Sequence, residues 1–233
     1  MNLPINQRDA HSLAPTPVVW PRLILGSTSP YRRELLSRFG LPFDTCAPRV
    51  DEIALALETP RDLAWRLARA KAEDVVSQMH SHASAADVLV IGSDQVADLN
   101  GQALGKPGTH DRAVAQLRAM RGQCVHFHTA VCVVRPATGF AQTHLSTVQV
   151  RFRELSDADI EAYLQAEQPY DCAGSAKAET LGIVLLSRID SDDPTALIGL
   201  PLIATSTLMR EAGADPLRWR AALTSGPMAP LLL

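Results

Sequence analysis

The stretch Val88-Leu89-Val90-Ile91-Gly92-Ser93-Asp94-Gln95-Val96 decides how the chain is read. Its first four residues are apolar without alternation, which suits a strand buried on both faces. Such a strand belongs in a sheet with helices packed against it. Gly92-Ser93 then reads as the end of the strand. Asp94 would stand at a carboxyl end, where open α/β sheets gather ligands. A carboxylate there, beside Gln95, can hold a metal or a water. An Asx turn leading into the next strand is the other reading.

Elements on both sides fit that frame. Upstream, Leu23-Ile24-Leu25 is a short strand that runs through Gly26-Ser27-Thr28-Ser29 into a helix from Pro30 to Phe39, with Ser29 as cap and proline in the first turn. A second strand is expected over 43–47, and Thr59-Pro60 opens a long helix to Gln78. Downstream, Asn100-Gly101 signals a hairpin between Val96–Leu99 and Gln102–Leu104. A helix over 111–120 follows. Cys124–Val134 and Phe140–Phe152 form a long hairpin, and Ser156 caps a helix to Glu167. A strand over 181–189 and a helix over 200–212 complete an α/β chain. No repeat runs through it.

Composition narrows the function. The chain has 233 residues, 46% apolar and 20% charged, with 22 Lys+Arg against 25 Asp+Glu and a net charge of −3. It is too apolar to be disordered. It has no run long enough to cross a membrane. A pI of about 6.1 argues against a duplex nucleic-acid partner. Cys46, Cys124, Cys132 and Cys172 form no C-x-x-C pair and read as free thiols of a reducing, cytoplasmic compartment. Residues 1–21 read as a loose extension without a secretory signal, 22–217 as the folded domain and 218–233 as a peripheral tail.

Several charged residues sit where stability alone would not put them. Arg32 and Arg33 occupy the first turn of the first helix, where each opposes the macrodipole by about 0.3–1 kcal/mol. A helix N-terminus with arginine forks suits phosphate. A solvated basic turn paired to Glu34 is the alternative. Lys71 shares the apolar stripe of Leu67 and Val75, so it either snorkels to the surface or serves a cleft. Asp51-Glu52 offers a second carboxylate pair. Lys106 and Lys177 lie in glycine-containing segments, and Lys106-Pro107 is not a Walker loop. His126-x-His128 supplies too few ligands for a tight zinc site and reads as a half-exposed strand. Asp190-Ser191-Asp192-Asp193 lacks calcium-loop spacing. Cations gathered with a few carboxylates suit a polyphosphate carrying a divalent metal.

The same residues carry a resemblance. Leu25-Gly26-Ser27-Thr28-Ser29-Pro30-Tyr31-Arg32-Arg33-Glu34-Leu35-Leu36, Val50-Asp51-Glu52 and Arg69-Ala70-Lys71-Ala72 resemble the Maf family of nucleoside triphosphate pyrophosphatases. So do Ile91–Val96, Gly105-Lys106-Pro107, Ala173–Glu179 and Ile198–Leu202. The likeness spans residues 22–217. It implies an elongated mixed sheet with flanking helices and two lobes around a central cleft. It also implies cleavage between the α and β phosphates with Mg2+ or Mn2+. On this likeness Asp94 is the proton acceptor, and Glu52 with Asp94 places the metal. Ser27, Arg32, Lys71, Lys106 and Lys177 line the cleft on the phosphates, with Arg33 beside them.

Three positions bear on the base. The branch of the family acting on dTTP and UTP carries Arg, Thr and Gln where this chain has Tyr31, Gln95 and Glu179. The combination resembles the branch acting on 7-methyl-GTP. A methylated guanine is cationic, so an aromatic face and a carboxylate are reasonable partners. The alternatives are a pyrophosphatase for dTTP, UTP or another modified nucleotide, and a non-catalytic nucleotide-binding regulator of septum formation. The likeness leaves open pairing with a second copy. Gly26 stands where the family commonly has Ala, and residues 1–20 match nothing in it.

Overall fold

Three long strands carry the architecture. β3 (Val88–Leu99), β5 (Cys124–Arg135) and β6 (Phe140–Phe152) pair antiparallel in the order β3-β5-β6. At roughly 3.3 Å per residue they extend about 40 Å, which gives the molecule its long axis. The computed structural model describes residues 19–80 and 87–225. Of the extensions expected over 1–21 and 218–233, residues 1–18 and 226–233 lie outside the described residues.

β1 (Arg22–Gly26) pairs parallel with β3 on one side and with β2 (Asp44–Cys46) on the other. β4 (Gln102–Leu104) hairpins back on the far end of β3, and β7 (Leu186–Asp190) pairs with β6. The result is a mixed seven-stranded sheet ordered β2-β1-β3-β5-β6-β7, with β4 beside β3. One half is covered on both faces. α2 (Pro60–His80) packs Leu67, Ala68, Ala72 and Val75 on one face. On the other lie α1 (Pro30–Ser37), α5 (Leu202–Glu211) and α6 (Pro216–Ser225). α3 (His110–Met120) and α4 (Asp157–Glu167) cover the other half with a separate core around Leu117, Phe152 and Leu164. Cores on both faces of one half and a third core on the other make two lobes on one shared sheet. The caps follow the sequence: Ser29 accepts from Arg32 N, and Ser156 with Asp159 forms a full capping box.

Three expectations need correction. β3 does not end at Gly92-Ser93. β5 pairs opposite every residue from Val90 to Asp98, so Asp94 lies in the middle of a twelve-residue strand and not in a turn. Gly92 serves another purpose there. A Cβ at this position would lie 2.4 Å from Ala68 O and 2.6 Å from Ala72 N, so the glycine lets α2 press onto the strand. The expected strand over 181–189 is strand only from Leu186. Residues 181–185 form a 3-10 turn, because Gly182 folds back against the Lys177 backbone. Finally, Trp219 is not peripheral. It is 4% exposed on α6 and stacks on Trp20, with centroids 5.4 Å apart and planes 6° from parallel. The boundaries expected at 21/22 and 217/218 therefore separate two packed tryptophans from the core they belong to.

All four cysteines are free. No helix among the described residues is long and apolar enough to cross a membrane.

Candidate active site

The cleft opens at a fork in the sheet. β1 pairs with β3 as far as Gly26 opposite Gly92, then turns away into α1. β3 runs on, and its pairing on that side resumes only with β4 at Ala97 opposite Leu104. The gap between them is the floor of a cleft of about 450 Å³. Its walls are the α1 N-terminus, α2, the segment that follows β4, and loops over 171–179 and 197–199.

Asp94 stands in that gap, 6% exposed. Helix α2 delivers Lys71, 5% exposed, so its stripe position leads into the cleft and not to the surface. Lys71 Nζ lies 2.6 Å from Asp94 Oδ1 and 2.5 Å from Glu52 Oε1. A buried ammonium is thus neutralised by two carboxylates, one rigid in the sheet and one on a loop. Asp94 Oδ2 has no hydrogen-bond partner among the described residues. Burial alone would raise the Glu52 carboxyl, but Lys71, Lys106 and Arg32 outweigh it and hold the group below its ordinary value.

Arg32 reaches the same end. Its Nε donates to Gly199 O at 2.8 Å, which fixes the guanidinium over the cleft. Burial pulls this group below its usual range, against the attraction of Asp94 and Glu52. Ser27, buried in the turn after β1, accepts from Ser29 N at 3.1 Å. Lys106 lines the opposite wall and is exposed.

Tyr31, Cys172, Asp171 and Glu179 form the other end. Tyr31 OH donates to Asp171 Oδ2 at 3.3 Å. Burial, with Cys172 and Asp171 adding, pushes the Tyr31 hydroxyl well above its ordinary value. Burial likewise pushes the Cys172 thiol up to about 12, so it is no nucleophile. Burial also raises the Glu179 carboxyl, with the Glu167 and Glu34 charges adding to it.

Two of the residues expected from sequence do not reach the cleft wall. Arg33 is exposed one position round the helix from Arg32. Lys177 stands behind Tyr31, with Nζ 5.9 Å from the ring centroid, 3.7 Å from Glu167 and 3.9 Å from Asp171. Its backbone is fixed by the close approach of Gly182 and by Lys177 N donating to the Tyr163 hydroxyl at 3.1 Å. Gln95 lines the cleft, but its amide is engaged. Nε2 is 2.9 Å from each of Thr129 Oγ1, Ala196 O and Leu197 O, so the side chain holds the 196–197 loop in place.

The model of the Maf-like protein family matches residues 22–212. The chain belongs to the Maf family. It is 64% identical over 192 residues to the 7-methyl-GTP pyrophosphatase of Albidiferax ferrireducens, covering 82% of this chain and 94% of that one. It is 60% identical over 215 residues to the protein of the same name from Polaromonas sp., covering 91% and 95%. The protein of that name from Cupriavidus metallidurans is 57% identical over 193 residues, covering 83% and 94%. The two-lobed mixed sheet is therefore the Maf architecture.

Sequence reasoning missed three contributors. Asp171 accepts from Tyr31, yet lies outside every motif quoted above. Ser93 Oγ lies 2.8 Å from Ala130 O and 3.1 Å from Gly199 O, tying the Arg32 partner to the sheet. Gln116 joins Ser175 Oγ (2.6 Å) to Gly105 O (2.9 Å), so α3 links the 171–179 loop to the segment bearing Lys106. Of these only Ser93 had a visible signal, since it adjoins Asp94. His128, expected on a half-exposed strand, is buried and bonded to Thr147 and Asp98. Among the described residues no three His, Cys, Asp or Glu side chains gather as a metal cluster.

Proposed function

We propose that this Maf protein hydrolyses 7-methyl-GTP to 7-methyl-GMP and pyrophosphate, removing a modified nucleotide in the cytoplasm. The observation that carries the reading is the union of two unlike ends in one cleft. A buried Lys71–Asp94–Glu52 cluster faces Arg32 and Lys106 at one end, and an aromatic ring stands between carboxylates at the other. The names of relatives above half identity support the same substrate. Free thiols at all four cysteines suit a reducing compartment.

Each end has a chemical task. Asp94 takes a proton from water at Oδ2 as the water oxygen attacks the α phosphorus. The bond from the α phosphorus to the bridging oxygen breaks, and pyrophosphate leaves. Lys71 holds Asp94 in place through their 2.6 Å ion pair. Arg32 and Lys106 take up charge that builds on the phosphate oxygens. At the far end Tyr31 offers an aromatic face to a cationic purine, and Glu179 accepts from its N–H groups.

The donor set fits a divalent metal. Three cations and four carboxylates line the cleft, so a triphosphate entering it needs added positive charge. Mg2+ commonly binds through one or two carboxylates plus substrate phosphates. Glu52 and Asp94 would hold Mg2+ or Mn2+, which when bound neutralises phosphate charge. The test is product analysis with 7-methyl-GTP and either metal. Monophosphate plus pyrophosphate is expected, and release of orthophosphate alone would overturn the scheme.

A further inference from the structure

Glu52 stands on segment 47–59, which has no helix and no strand. Apolar packing anchors only its start, where Val50 meets the core under α2 and Arg49 N donates to Asp74 Oδ2 at 2.8 Å; beyond Glu52 it anchors nothing. Ile53 is 73% exposed, Leu55 61% and Leu57 102%. Leu57 also holds left-handed backbone at φ 63°, which a leucine keeps only where its surroundings impose it. The segment nevertheless delivers Glu52 Oε1 to within 2.5 Å of a buried lysine.

What imposes the conformation is polar. The Glu58 side chain, 8% exposed, returns toward α2. Arg66 grips it with both prongs, Nε to Oε1 at 2.6 Å and Nη2 to Oε2 at 2.8 Å. The same Nη2 donates to Ile53 O at 3.0 Å, next to Glu52 in sequence. Leu55 N donates to Glu58 Oε2 at 2.9 Å. One arginine therefore closes the segment on itself at both ends of the strained turn. It does so from α2, the helix that also presents Lys71.

We infer that the Arg66–Glu58 pair is the positioning device for Glu52, locking the carboxylate-bearing segment to the helix of Lys71 so that Glu52, Lys71 and Asp94 keep one geometry. The inference deepens the pyrophosphatase reading above and rests on it for its kinetic arm. Bidentate geometry is central. A lysine at position 66 keeps the charge but cannot hold Glu58 and Ile53 O together.

The test combines kinetics with a measurement that needs no turnover. In the full chain with 7-methyl-GTP, Arg66→Lys and Glu58→Gln each lower kcat roughly tenfold to a hundredfold, as small misplacement of a catalytic group does, with little change in KM. Because both act through Glu52, the double variant Arg66→Lys with Glu52→Gln is no slower than Glu52→Gln alone. Multiplied losses in the double variant would overturn the inference, since the pair would then act elsewhere. Hydrogen exchange in the nucleotide-free chain gives the second arm. The Leu55 amide exchanges faster in either variant while the amides of α2 keep their protection. Unchanged exchange at Leu55 in both variants overturns the clamp even if the wild-type chain hydrolyses no nucleotide. Absence of hydrolysis by the wild type alone counts against the functional reading only.

Discussion

The two ends of the cleft are built from different materials. The phosphate end rests on regular structure: Asp94 is fixed in the middle of β3, and Lys71 is pressed beside it by the contact of α2 at Gly92. The other end, proposed to meet the base, is loop apart from Tyr31 in the first turn of α1. Tyr31 leans on Asp171 through a long hydrogen bond of 3.3 Å, and Glu179 stands on the same loop as Asp171. Chemistry needs groups held to a fraction of an ångström, which sheets and helices supply. Recognition of a particular base can be altered residue by residue in loops without disturbing that frame. Glu52 joins the two: like Ser27 and Lys106 it belongs to the end of Lys71 and Asp94 but stands outside helix and strand, and a polar clamp holds its segment.

The comparison breaks most completely at Asp94. Asp94→Asn keeps the shape of the side chain but removes its capacity to take a proton. It should lower turnover of 7-methyl-GTP by about 10²–10⁴-fold, the usual worth of general base catalysis, with nucleotide binding retained. Measuring pyrophosphate release beside nucleotide affinity checks this. Activity untouched in Asp94→Asn would remove the sheet from the chemistry altogether.

Next comes the close approach that makes the phosphate end rigid. In Gly92→Ala the new methyl would meet Ala68 O and Ala72 N, so α2 must move outward. Overpacking of this kind costs about 1–3 kcal/mol of stability. The same displacement separates Lys71 from Asp94, and turnover should fall by up to roughly a hundredfold. Thermal unfolding and kinetics on one preparation check both. A stable variant with full activity would show that the contact does not set the site.

Breaking the base end should change choice and not chemistry. Glu179→Gln removes the charge proposed to meet the purine. It should lower kcat/KM for 7-methyl-GTP by about tenfold, in the range that one lost polar contact is worth, while kcat for UTP and dTTP holds or rises. A substrate panel decides it. Equal loss on every nucleotide would move Glu179 from recognition to structure.

The same contrast explains what the sequence made legible. Lys71 could be found because helical periodicity puts it on a buried stripe, where a lysine needs a reason. Arg32 shares its stripe with Leu36, and that periodicity also separates it from Arg33, which points to solvent. The caps at Ser29 and Ser156 and the Asn100-Gly101 hairpin are local chemistry and read directly. The place of Asp94 in a continuous strand is not legible, because it depends on Ala130 of β5 lying opposite, 36 residues away. Gly92 looked like punctuation for the same reason: only the packed helix shows that it answers a close approach. Trp20 and Trp219 meet across almost the whole chain, and no local pattern announces that contact. Lys177 carries a family motif position, yet its ammonium pairs with Glu167, a partner that lies on α4 and outside every motif.

The smallest effect is also the one that sets the two ends directly against each other. Glu52 and Glu179 share an ordinary value of 4.5, and the structure drives them apart. Burial would raise Glu52, but Lys71, Lys106 and Arg32 prevail and lower it. It therefore stabilises the fold above about pH 4.5, and that contribution is lost only as pH falls through its lower folded value. Glu179 goes the other way, raised by burial and by Glu167 and Glu34. It costs stability at neutral pH, and the cost fades as pH falls through its higher folded value. On acidification Glu179 takes its proton first. The preference for 7-methyl-GTP over GTP should then shrink a few-fold above pH 4.5, before Glu52 protonates and turnover fails. The methylated base titrates too, so the informative quantity is the difference between wild type and Glu179→Gln. The shrinking preference should appear in the former and be absent from the latter. An identical pH profile in both would mean that the carboxylate at the loop end never meets the base.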